Sequence, residues 1–349
     1  MGTAPPSGEA GVSPRHAEIL LGHDAALAAF RRAWAGGRLH HAWLIGGPAG
    51  IGKATLAFRL ARWVLAGGPE TGAGLALPET HPTFRKVAIG SHPDLVVLER
   101  SENARTGRLR TEIVVDDVRA LSSFLRLTPA ESDWRVAIVD PADDLNREAA
   151  NALLKILEEP PPRALLLLVA HAPGRLLPTI RSRCRRLMLS PLAEAEVASL
   201  LAALAPEVPL PERRAAAAIA RGSIGRALAL AGEGAGALKQ ALDRTMDGLP
   251  EIDLVAAHAL ADSLGRPGAE ETFALFMELL RDAVAARARA AATGAPDRVA
   301  ASRPLEEWGT VWEKLGRLAR LTAALTLDRK QAVLSALMAL RPGAILDMP

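Results

Sequence analysis

Lys53 follows the glycine-rich run Gly46-Gly47-Pro48-Ala49-Gly50-Ile51-Gly52, a spacing suited to phosphate chemistry. In a phosphate-binding loop, Gly, four residues, Gly-Lys and then Ser or Thr close around an anion. Backbone N–H groups cradle phosphate oxygens, the lysine reaches the outer phosphates and the hydroxyl holds magnesium. Gly47, Gly52 and Lys53 satisfy the pattern and Gly50 adds a further flexible position, but Ala54 stands where the hydroxyl belongs. Thr55 comes next, yet on a helix it lies about 100° further round and does not simply take over the metal. Gly47, Gly50, Gly52, Lys53 and Thr55 are therefore the candidate nucleotide-binding residues, with metal coordination in doubt.

A second group tests for hydrolysis. Asp140 ends the apolar run WRVAIVD, where a Walker-B carboxylate would meet magnesium, and the next residue is Pro141 rather than the Glu that orients an attacking water. Asp143 and Asp144 lie in the turn beyond, too far along to replace it without rearrangement. Without a base, hydrolysis at this chain's own loop is expected to be very slow. A third group, LPTIRSRC over 177–184, presents Arg181 and Arg183 at the end of a short helix. Arginine suits the charge of a transferring phosphoryl group and can be supplied in trans. By themselves these residues read more readily as surface arginines in a turn.

The elements needed to position these groups are legible from periodicity. HAWLIGG (41–47) reads as a buried strand entering the glycine turn, and 55–65 as a helix with Leu56, Leu60, Trp63 and Val64 on one face. A helix over 18–34 uses Ile19, Leu20, Leu27 and Phe30. DLVVLER, WRVAIVD and ALLLLVA are three further strands, separated by helices at IVVDDVRALSSFLRL and NREAANALLKILEE, the latter capped by Asn146 and stopped by Pro160-Pro161-Pro162. Alternating helices and continuously apolar strands predict a parallel sheet covered on both faces. The Gly- and Pro-rich stretch 67–91 reads as an irregular insertion, and beyond Pro191 all periodicity is helical.

Composition narrows the function classes. The 349 residues hold 42 Lys+Arg against 39 Asp+Glu, a net charge of +3 that allows nucleic-acid contact without demanding it. Aromatic residues make up 3% and tyrosine is absent, which argues against stacking platforms for single-stranded nucleic acid. The single cysteine, Cys184, excludes an intrachain disulfide framework. MGTAPPSGEAGVSP lacks the apolar core of a signal peptide and no 18-residue apolar run suggests a membrane span, so a cytoplasmic protein with a disordered leader is expected.

HPDLVVLE, NALLKILEEPP and IRSRC, in this order behind the phosphate loop, resemble the bacterial clamp-loader branch of the AAA+ proteins over about residues 18–232. The resemblance implies an α/β P-loop AAA+ domain with a parallel sheet over 18–190, a helical lid over 191–232 and an all-helical collar domain over 233–349, behind a leader of residues 1–17. Lys53-Ala54 and Asp140-Pro141 depart from the motor subunits, and Gly225 stands where motors place their sensor arginine, with Arg226 one step on. The resemblance therefore implies a non-motor, stator-like subunit that helps load a sliding clamp onto primed DNA. Arg183 would act in trans as an arginine finger at a neighbouring ATPase site.

The implied partners are motor subunits, a delta subunit, the sliding clamp and, through the assembly, primer-template DNA. No ATPase or polymerase activity of the chain's own is expected, although the assembly belongs to a DNA polymerase holoenzyme. The alternative is a clamp-loader motor that hydrolyses ATP itself. No cofactor is required on this reading, and ATP or ADP would bind weakly.

Many members of the branch carry four cysteines in a zinc module after the loop's helix, whereas residues 66–93 contain none here. Zinc sites need closely set thiolates or imidazoles. Elemental analysis of the purified chain should accordingly find zinc far below one ion per chain; a stoichiometric content would reject this expectation.

Overall fold

The computed structural model describes residues 13–70, 72, 74–102, 107, 109–231, 235–294, 297–325 and 327–341. Residues 1–12 of the expected leader and the last residues of the helical block, 342–349, lie outside the described range. The chain divides into two compact units, one reaching to Leu204 and including Arg221–Gly225, the other formed by Ala205–Ala220 and the chain from Arg226 onward.

The first unit runs α1 (Asp24–Ala35), β1 (Ala42–Gly46), α2 (Lys53–Leu65), α3 (Pro82–Ala88), β2 (Leu95–Leu98), α4 (Val115–Leu125), β3 (Arg135–Val139), α5 (Arg147–Glu158), β4 (Ala164–Ala170), α6 (Pro178–Ser182), β5 (Arg185–Met188) and α7 (Glu194–Leu204). Among the described residues the five strands form one parallel sheet in the order β2-β3-β4-β1-β5. Successive side chains alternate between its faces. Trp43, Ile45, Ile138 and Leu167 pack toward Phe30 and Leu60, while Leu44, Val139, Leu166 and Leu168 pack toward Leu121, Leu153 and Ile180. Burial on both faces explains why β1, β3 and β4 read as unbroken apolar runs.

The structure departs from the sequence pattern in three places. The first helix starts at Asp24, not at residue 18, and Ile19 and Leu21 are exposed. The preceding segment is held extended by arginines of α2. Arg62 donates to the carbonyls of Arg15 (3.1 Å) and Ala17 (2.8 Å), and Arg59 donates to those of Glu18 and Gly74. In a helix starting at residue 18 the Glu18 carbonyl would instead accept an intrahelical hydrogen bond. The insertion contains α3, capped by His81, whose Nδ1 accepts the Thr83 N–H, and it buries Leu75, Leu77, Phe84 and Val87. The third departure is β5, a strand where the sequence shows only a run of arginines; at the edge of the sheet only its Leu187 is buried, so its apolar signal is weak.

The second unit holds α8 (Leu210–Ile219), α10 (Ala235–Gly248), α11 (Leu254–Gly265), α12 (Glu270–Thr293), α13 (Leu305–Leu325) and α14 (Arg329–Met338), together with most of α9 (Ile224–Ala231). α12 packs on α13 and α11 on α14, and Phe276 and Val284 of α12 and Trp308 and Leu315 of α13 are buried. Leu337 and Leu340, on the face that includes Leu334, are buried in this unit's own core.

The α2 arginines carry a testable consequence. Arg62 also lies over the Phe84 ring, 4.3 Å from its centroid, and burial pushes its pKa down to about 10 despite the favourable field of Glu18. Hydrogen bonds from a charged donor of this kind contribute about 1.5–3 kcal/mol. Arg62→Ala should lose roughly that much and accelerate amide exchange over residues 13–22; exchange unchanged there would show that the strap is held by something else.

Candidate functional site

The glycine loop leaves β1 and enters α2 at the end of the sheet where β4 and β1 stand side by side. Ligands of open α/β sheets bind beyond the carboxyl ends of the strands, so the loop occupies the expected place. Its shape depends on glycine. Gly47 (φ +151) would set a Cβ 2.6 Å from the Leu189 carbonyl, and Gly50 (φ +73) would set one 2.3 Å from Ser223 Oγ. Gly52 (φ +97) is the N-cap of α2 and turns the chain into the helix, where Leu56 N–H donates to its carbonyl at 2.9 Å. Two contacts hold the loop from outside. His23 Nε2 lies 2.7 Å from the Ile51 carbonyl, and Gly225 N–H donates to the Gly50 carbonyl at 2.9 Å.

Lys53 is buried at the first position of α2, and its Nζ donates to the Pro48 carbonyl within the loop. Burial pushes its ammonium down to about 8, against the fields of Asp140 and Asp143, which favour the charged form. Ala54 and Thr55 come next on the same helix, so the residue beside Lys53 offers a methyl group where a metal ligand would stand. The donor set fits a phosphate and does not fit a magnesium ion held by a loop hydroxyl.

Asp140 immediately follows β3, and its N–H donates to the Leu98 carbonyl at 3.0 Å. β3, β4 and β1 run parallel, so Asp140, at the exit of β3, lies at the same end of the sheet as the loop at the exit of β1. The two acids beyond it have structural tasks. Asp143, in a 3-10 turn over Ala142–Asp144, accepts the N–H groups of His171 and Ala172 at the end of β4. Asp144 pairs with Arg100 at 3.2 Å.

His171 carries no motif in the sequence, yet it ends up beside this group. Its pKa is lowered, first by partial burial and then by the charge of Lys53, and Asp143 and Asp144 only partly offset this. Its position at the exit of β4 follows from strand order, which no local pattern encodes.

Arg183 is the residue at which α6 ends, between buried Ile180 and buried Cys184. Its Nη1 donates to the Thr179 carbonyl at 3.1 Å and its Nη2 lies 2.9 Å from Glu158 Oε1. The sequence singles out Arg183 but assigns Glu158 no role, although it sits in the LLKILEEPP motif. Asp94 of HPDLVVLE is structural: burial alone would raise its pKa, but N–H groups of Ala130, Glu131 and Ser132 and the Arg135 charge outweigh that and hold it below the usual range. Arg226 has its guanidinium on Asp282 (2.9 Å) and Glu278. A cleft of about 570 Å³ lined by His16, Phe84 and Arg85 lies at α3, but none of the loop residues line it. Among the described residues no cluster of three or more metal-ligating side chains occurs, and no helix is long and apolar enough to cross a membrane.

A parallel sheet with β1 between β4 and β5, a glycine loop feeding α2 and an acid after β3 define a P-loop domain of the AAA+ class. The family model described as "DNA polymerase III, delta subunit" matches residues 22–193. DNA polymerase III subunit delta' of Pseudomonas aeruginosa is 37% identical over 233 residues, covering 65% of this chain and 67% of that protein. The delta' subunit of Bacillus subtilis is 34% identical over 44% of each chain. The tau subunit of Escherichia coli is 31% identical over 50% of this chain but only 25% of its own length. The chain belongs to the delta-prime family of DNA polymerase III subunits.

A loop with a phosphate cradle and no metal hydroxyl should bind ATP or ADP weakly, with the same affinity in the presence and absence of magnesium. Because Lys53 loses its proton above about pH 8, affinity should fall as pH is raised from about 7 to about 9, approaching tenfold per unit at most. Titration calorimetry decides both points; strong magnesium dependence or an affinity that rises with pH would count against a metal-free phosphate cradle.

Proposed function

We propose that this chain is the non-motor, stator-like subunit of a DNA polymerase III clamp loader, helping to place a sliding clamp on primed DNA. It would supply Arg183 in trans to a neighbouring subunit's ATPase site. The observation that carries the reading is the combination of Ala54 and Pro141 at the two positions where a motor needs a hydroxyl and a carboxylate. The nearest later acids support it, because Asp143 is engaged by the backbone of β4's exit and Asp144 by Arg100. Neither is poised to activate water at Lys53.

In this reading the P-loop is kept for its architecture and the chemistry crosses a subunit boundary. A guanidinium at the edge of a neighbour's site stabilises negative charge that develops on the phosphoryl oxygens during transfer. Position 183 suits that task because its backbone is fixed by buried Ile180 and Cys184 while its side chain reaches solvent. We further propose that motor subunits and a delta subunit are the assembly partners, that primer-template DNA is met through the assembly, and that the all-helical region beyond residue 232 serves as the collar. Similarity to delta' and tau subunits supports assembly with proteins of this branch.

Reconstitution with motor and delta subunits tests the reading. Arginine fingers are worth ~10³ to 10⁵ in rate at a single site. In the assembly the other motor sites keep their own fingers, so Arg183→Ala should cut clamp- and DNA-stimulated ATPase by about twofold or more without dissociating the complex. Lys53→Ala should leave turnover nearly intact, and Arg181→Ala controls for loss of nearby charge. The reverse pattern, Lys53→Ala crippling turnover with Arg183→Ala silent, would identify a motor that hydrolyses its own nucleotide.

A further inference from the structure

Arg183 is occupied before any neighbour arrives. One edge of its guanidinium meets the Thr179 carbonyl of its own helix and the Glu158 carboxylate at the end of α5. The two partners both stand on fixed backbone and differ in the reach of their side chains. Glu158 ends a twelve-residue helix anchored by Ile156 and Leu157, and the Leu157 carbonyl is met by His41 Nε2 at 3.1 Å. The carboxylate is therefore presented from a fixed support. Arg183 has a fixed backbone and a long flexible stem, so the guanidinium is the part free to swing.

The pair is not needed to hold the fold. Side-chain exposures of 36% for Arg183 and 51% for Glu158 put it in solvent contact, where such a pair shifts an equilibrium by roughly fivefold at most. An effect of that size is too small to explain a structural tie but suits a bias between two positions of one side chain. A carboxylate and a phosphate present similar oxygen pairs to the same guanidinium fork, so they compete for it.

We propose that Glu158 is a positioning residue that parks the Arg183 guanidinium on its own subunit and so suppresses its use at a neighbour's phosphoryl group until the assembly is engaged. This rests on the reading of Arg183 as a trans-acting finger. Productive docking draws the guanidinium from the carboxylate to the phosphate, and Glu158 sets how often that happens in the idle assembly. Glu159, one residue on and outside the α5 helix, carries the same charge without this contact to Arg183 and serves as the control.

The experiment compares assemblies reconstituted from the full-length chain carrying Glu158→Gln, Glu159→Gln, Arg183→Ala or Glu158→Gln with Arg183→Ala. ATP turnover and KM are measured with and without clamp and primed DNA. Glu158→Gln should raise unstimulated turnover by roughly two- to fivefold, leave the stimulated rate and KM for ATP near their original values, and have no effect when Arg183 is already Ala. Glu159→Gln should change nothing. Unstimulated turnover that stays level or falls in Glu158→Gln, while Arg183→Ala lowers the stimulated rate, overturns the parking role and leaves the finger intact. An increase that persists without Arg183, or is reproduced by Glu159→Gln, also overturns it. Silence of Arg183→Ala removes the finger reading and this role together.

Discussion

The close approach of backbone to backbone around the glycine loop is the constraint on which the first unit depends. Gly47 lies against the Leu189 carbonyl, and Gly50 lies against Ser223 and Gly225, at separations that leave no room for a side chain. Both residues also have positive φ, which an L side chain resists. The loop can take this path only if β1 enters it from the middle of the sheet, if β5 runs beside β1 and if Arg221–Gly225 returns to cover it. Strand order, loop conformation and the return of the chain at residue 221 are thus one geometric solution. The solution is set by backbone packing, and Ala54 and Pro141 take part in none of those contacts.

Several buried charges inside the first unit hold loops and neighbouring segments in place. Arg59 and Arg62 are buried on α2 and spend their donors on carbonyls of the segment before α1 and, for Arg59, also on that of Gly74. Arg135 is buried against Asp94, lies over the Phe124 ring and donates to Leu127 and Thr128 carbonyls. A guanidinium suits such places because it spreads its charge over several donors and tolerates an aromatic face. Asp94 and Asp143 do the same with acceptors, each collecting backbone N–H groups from a loop. Removing one partner from such a set leaves a buried charge or polar group unpaired, which is costly.

Arg183 contrasts with these staples. It has the same chemistry but sits in solvent contact, with one weak ionic partner and one carbonyl. The physical difference is burial: a desolvated guanidinium is locked to its acceptors, whereas a hydrated one exchanges partners at little cost. Lys53 falls between the two. It is buried in the loop, and desolvation pushes its ammonium down to about 8 against the fields of Asp140 and Asp143, which favour the charged form.

The sequence by itself determined what depends on near neighbours along the chain. Continuous apolar runs marked β1, β3 and β4, helical spacing marked Val118, Leu121 and Leu125 of α4, and Asn146 announced the start of α5 by capping it. The order of glycines and Lys53 announced the loop that leads from β1 into α2. Tertiary structure decided what depends on partners remote in sequence. Residues 18–23 have helical spacing yet stay outside α1, and Arg59 and Arg62, some forty residues away, take the carbonyls of Glu18 and Ala17 at its start. His171 joins the site because β4 lies between β1 and β3, and Glu158 meets Arg183 because α5 and α6 end side by side. Hydrophobic period and capping are local and can be read one element at a time; pairing of charges and the order of strands are set by packing across the sheet, where no short stretch of sequence carries the information.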